Sequence, residues 1–172
     1  MEILGITLLV LLGGITIIAL FTTITLLFPA QVKKTQLTLE NGLGRSLLLG
    51  VVNFTFFAVL VAALVWLAQE SSEVLGGILV FLAVVIMLGF VIFALVGLAA
   101  LAKVLGHRIG GGKTPFVTNL RGSALLLLAG LAPYVGWFLF TPLVLLTGLG
   151  AAISALVRKG DVVIAAEEVE SV

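Results

Sequence analysis

The stretch LLLGVVNFTFFAVLVAALVWLA, Leu47 to Ala68, decides the fold class. It carries no charge and is apolar on every face, and its length matches the ~20 residues a helix needs to cross ~30 Å of hydrocarbon. A membrane strand would alternate apolar and polar side chains over about 10 residues, and this run does not alternate. In lipid every backbone N–H and C=O must find a partner within the segment, which for an isolated run leaves only the helix.

Three further segments read the same way. Ile3 to Phe28 stops at Pro29, Val74 to Leu105 follows the short link QESSE, and Ala124 to Val157 closes the apolar part of the chain. Their only charged residue is Lys103, in the last turn of the third, where its stem can snorkel to the interface. The first segment is too long and lacks the basic start of a signal peptide, so a retained helix is expected. The whole chain agrees: 62% of its 172 residues are hydrophobic and 10% charged, against about 25% charged in soluble domains. The sequence therefore predicts an all-α integral membrane bundle over residues 1–160, with a short acidic tail over 161–172.

Charge placement gives an orientation. Lys33, Lys34 and Arg45 lie in the first connection, Glu70 and Glu73 in the second, and Arg108, Lys113 and Arg121 in the third. The positive-inside rule makes the first and third cytoplasmic, with the N-terminus outside. The same six basic residues are candidates for contact with anionic lipid headgroups.

The fourth segment is far longer than one crossing requires, and Pro133, Gly136 and Pro142 interrupt it. A proline inside a helix removes a backbone bond and kinks or breaks it. Two readings stay open: one kinked crossing, or a re-entrant hairpin turning at Pro133–Gly136. The hairpin returns Arg158 and Lys159 to the side of the other basic residues.

GHRIGGGKTP, Gly106 to Pro115, ends like a phosphate-binding loop, but His107 stands where the first glycine of that motif belongs. No strand precedes it, so no nucleotide site is expected. Gly106 reads instead as the glycine that ends the third helix, and Gly110 to Gly112 as a connector. Thr114–Pro115 reads as an N-cap and first turn, opening a short surface helix, PFVTNLRGS.

Cysteine is absent and histidine occurs once, which removes thiolate chemistry and most catalytic or metal-binding constellations. No enzyme activity, cofactor, metal or nucleic acid is expected. Asn53 is the strongest polar group within a span, and is expected to face another helix or subunit. Gly89, Gly97, Gly148, Gly150, Ala151, Ala152 and Ser154 are small residues placed for close helix contact, within the chain or between subunits. Trp66 and Trp137 suit a membrane interface.

RSLLLGVV, GLAALAKVLGHRIG and LLLAGLAPYVGWFLFTPLVLLTGLGAAISALVRKG carry a family likeness. From Arg45 onward the chain resembles a bacterial membrane module found alone or attached to bactofilin-type, polymer-forming proteins. The matching positions are Pro133, Gly136, Gly148, Gly150 and Ala151. The resemblance implies a non-enzymatic anchor or scaffold in the bacterial inner membrane. The expected function is accordingly assembly, as a homo-oligomer or within a larger membrane complex. The alternative is a small channel or transporter whose broken fourth segment lines the path.

Overall fold

A computed structural model describes residues 2–110 and 114–157, and every described element is helical. The helices are α1 (Glu2–Leu27), α2 (Pro29–Asn41), α3 (Leu43–Glu70), α4 (Glu73–Arg108), α5 (Pro115–Leu131) and α6 (Thr141–Val157). A π-helical stretch, Val135–Phe140, runs directly into α6. Four helical units are long and apolar enough to cross a membrane: α1 (over Thr7–Leu27), α3, α4 and the π-helix with α6. The chain is a multi-pass membrane protein with an all-α bundle.

α4 is the axis of the bundle, with α1, α2, α3, α5 and α6 all packed on it. α3 and α4 form an antiparallel pair, in which the Phe90 ring meets Phe54 at a tilt and Phe57 edge-on, at centroid distances of 5.8 and 5.9 Å. α6 runs antiparallel to α3, because Gly50 meets the Leu146 carbonyl while Gly150 meets that of Ser46. α5 runs antiparallel to α4, with Gly122 against Ala102 and Thr118 against Gly106. α1 runs antiparallel to α5, since Asn119 reaches Thr22 and Leu127 lies beside Gly14.

These directions decide the fourth segment. α5 enters from the end where α4 finishes, and α6 returns to that same end: the segment is a hairpin. Its legs barely touch each other, and both pack on α4. At the tip the Val135 N–H donates to the Pro133 carbonyl at 2.8 Å, closing a γ-turn around Tyr134 at φ 64 and ψ −63. Gly136 follows, buried where a Cβ would stand 2.6 Å from the Ala129 carbonyl oxygen and 2.8 Å from that of Gly130. The turn thus needs proline to stop α5 and glycine to let the returning chain pass its end. Pro142 breaks nothing; it lies in the first turn of α6, where the π-helix gives way to the α-helix.

Two local expectations are corrected. PFVTNLRGS is no separate surface helix, because α5 continues unbroken to Leu131 with Gly122 and Ser123 buried. Its start is as expected, with Thr114 Oγ1 accepting from the Val117 N–H at 3.4 Å and Pro115 in the first turn. Gly106 does not end the third helix; α4 runs on to Arg108, and the glycine of positive φ is Gly110 at 105°. The first connection, whose structure the sequence left open, is mostly the helix α2, which buries Val32, Thr35 and Leu39 along one face. Lys113, Gly111, Gly112, Arg158, Lys159 and the tail over 161–172 lie outside the described residues.

Candidate functional site

The small residues come together inside the chain. Gly97 of α4 and Gly148 of α6 meet face to face, backbone against backbone. Gly150 meets Ser46 and Gly50, and Ala151, Ala152 and Ala155 are buried beside it. Ser154 is half-buried and donates to the Gly150 carbonyl at 2.6 Å. On the other side of α4, Gly106 and Gly122 receive the carbonyls of Thr118 and Ala102. In lipid no hydrophobic drive holds helices together, so this close packing is the chief source of cohesion. Gly50, Gly106 and Gly122 complete the seam, and spacing alone did not single them out for packing. Gly89 stands apart: a Cβ there would meet nothing within 4 Å.

Several polar groups within the spans bond to their own helices. Asn53 is half-buried, and its Nδ2 donates to the Leu49 carbonyl of its own helix at 2.7 Å. That bond uses one of its N–H groups, and the side chain lines a recess shared with Ile153 and Ser154 of α6 without bonding to that helix. Thr16, Thr22, Thr23, Thr25 and Thr55 likewise donate to carbonyls four residues earlier, at 2.8 to 2.9 Å. Among the described residues the buried polar side chains are Thr35, Ser46, Thr118, Asn119, Ser123 and Thr147. Asn119 crosses to a distant helix, its Nδ2 lying 3.5 Å from Thr22 Oγ1. Its Oδ1, and Ser123 Oγ one turn on, are buried without a hydrogen-bond partner. The polar TNLRGS at the start of α5 carried that signal, through the four-residue spacing of Asn119 and Ser123.

The described basic residues gather at one end of the bundle. Lys33 and Lys34 stand on α2, Arg45 in the first turn of α3, Lys103 and Arg108 at the end of α4, and Arg121 early in α5. Arg121 Nη1 donates to the Gly110 carbonyl at 3.2 Å, tying α5 to the residues that directly follow α4. Glu70 and Glu73 lie at the opposite end.

Two pockets flank the seam. One, of about 310 Å³, lies between the hairpin legs and is closed by Leu98 of α4 and by Ile17 and Phe21 of α1. Apart from Thr141, its lining is apolar side chains and Gly130, and Thr141 Oγ1 is already donating to the Gly136 carbonyl at 2.7 Å. The second, of about 350 Å³, opens at the basic end between α2, α3 and α6, where Arg45 and Asn53 stand among hydroxyls. Among the described residues no group of three or more His, Asp or Glu side chains is placed to hold a metal. What this arrangement offers is close helix packing, apolar surface and one polar recess at the basic end. No protein-family model, curated protein or solved structure matches the chain.

Proposed function

We propose that this chain is a non-enzymatic subunit of the bacterial inner membrane that works by assembly, with further copies of itself or within a larger membrane complex. One observation carries the reading. The most apolar stretches of α3 and α4 are each only 6% buried within the chain, against 44% for the π-helix and α6. Gly77 and Gly89 stand on the uncovered part of α4, with open space where a Cβ would be. Small residues on a lipid-facing helix are where another backbone can approach closely.

The seam residues Gly97, Gly148 and Gly150 are used within the chain, so assembly rests on the α3–α4 pair. Gly89→Leu tests this. In lipid nanodiscs the wild type should run as a complex, and the variant should lose that complex while its melting temperature holds. A wild type that is monomeric and carries no co-purifying protein would overturn the proposal.

A second reading, a channel or transporter, draws on the hairpin break, since interrupted helices line transport sites. The pocket beside that break is apolar and suits neither an ion nor a polar solute. Solute flux into liposomes containing the purified chain would favour this reading over assembly.

A further inference from the structure

The recess at the basic end is built from three elements. Arg45 lines it from the first turn of α3, Thr38 and Asn41 from the last turn of α2, and Ser154 from α6. Among the described residues that line it none is acidic, and Arg45 is the single charged one. No side chain caps α3, so the N–H groups of its first turn lack intrahelical acceptors at a helix end that is itself positive. A cation in that turn adds to the positive end, and one anion held there satisfies both.

The hydroxyls of the recess add a second requirement. Ser46 donates to the Gly42 carbonyl at 3.1 Å, Ser154 to Gly150 at 2.6 Å, and Thr38 to Lys34 at 3.0 Å. With their protons used on their own helices, their oxygens remain as acceptors, and Asn53 Oδ1 joins them. The recess therefore asks for a ligand with one anionic group and hydroxyl donors of its own. Leu49, Ile153 and Val157 supply an apolar wall beside these groups. The volume of about 350 Å³ suits a headgroup, while acyl chains would run along the uncovered apolar helices outside.

We infer that this recess binds phosphatidylglycerol, with its single phosphate held by Arg45 and the open end of α3 and its two glycerol hydroxyls donating to Ser154 and Asn53. A choline headgroup has no donor to offer. An ethanolamine headgroup brings a cation toward Arg45. The inference goes beyond the assembly reading and does not depend on it.

Native mass spectrometry of the full chain, with phosphatidylglycerol, phosphatidylethanolamine and phosphatidylcholine of identical acyl chains, tests it. Wild type should retain phosphatidylglycerol over phosphatidylcholine by roughly tenfold, the scale of the one or two net hydrogen bonds that glycerol hydroxyls add and choline cannot make. Arg45→Gln should remove that preference, whereas Lys33→Gln, on the exposed face of α2, should keep it. Val157→Trp obstructs the rim without touching the core, since Val157 is 79% exposed, and should also remove the preference. It decides the matter if Arg45→Gln fails to fold. Equal retention of the three lipids, or no effect of Arg45→Gln and Val157→Trp, overturns the inference. So does an equal loss in Lys33→Gln, which would mean diffuse attraction to the basic end. Displacement of the lipid by millimolar inorganic phosphate would assign the recess to a free anion and overturn it too.

Discussion

Replacing Gly97 with alanine places one methyl group where α4 and α6 meet through backbone alone. The new Cβ would stand 2.7 Å from Gly148 Cα and closer still to the Gly148 carbonyl. Carbon atoms not bonded to each other settle at about 3.5–4.0 Å, so the two helices must part by roughly 1 Å at their closest point. Overpacking a core by a methylene costs typically about 1–3 kcal/mol, and two backbones cannot yield as a side chain would, which puts this site at the upper end. Better helix propensity returns about 0.5–1 kcal/mol. The expected net loss is about 2 kcal/mol, or a melting temperature lower by roughly 4–8 °C for a chain of this size.

The same substitution elsewhere supplies the scale. At Gly148 the Cβ would lie 2.9 Å from the Gly97 carbonyl carbon and 3.2 Å from its oxygen, a smaller conflict, and the loss should be smaller. At Gly89 the space is open, and only the propensity gain of up to about 1 kcal/mol should remain. Thermal unfolding in mild detergent, followed by circular dichroism, gives the order: Gly89→Ala above wild type, then Gly148→Ala, then Gly97→Ala. If Gly97→Ala melts with the wild type, or Gly89→Ala falls as far as Gly97→Ala, the seam does not hold the bundle together and the reasoning fails.

Two further outcomes are expected. Tyr134 is 80% exposed and sits at φ 64, a conformation that costs an L-residue about 1–2 kcal/mol, so Tyr134→Gly should melt roughly 2–8 °C above Tyr134→Ala, which keeps the strain; equal melting of the two would refute a strained hairpin tip. A cysteine at Ser72 should be labelled by an impermeant reagent from the side of the membrane opposite to one at Asn41, and one at Ser171 should label with Asn41; labelling of Ser171 with Ser72 would mean that the fourth segment crosses once and is no hairpin.

The sequence by itself determined that the chain lives in a bilayer, that its spans are helices, and roughly where they begin and stop. Hydropathy and backbone satisfaction are local: Leu47 to Ala68 can do nothing else in lipid, Thr114–Pro115 starts a helix through its own atoms, and Pro133 ends one by lacking an N–H. The tertiary structure decided which faces meet. α4 is apolar on every side, so no periodicity marks the side that packs, and Gly97, Gly106 and Gly89 look alike in sequence. Only the approach of α6 and α5 separates them, placing Gly97 against Gly148, Gly106 against Thr118, and leaving Gly89 open. The hairpin could be posed from Pro133 and Gly136 but not chosen, because a kinked helix needs the same residues. The direction in which α6 packs on α3, Gly50 to Leu146 and Gly150 to Ser46, is a relation between residues some hundred positions apart, and no local property of either stretch encodes it.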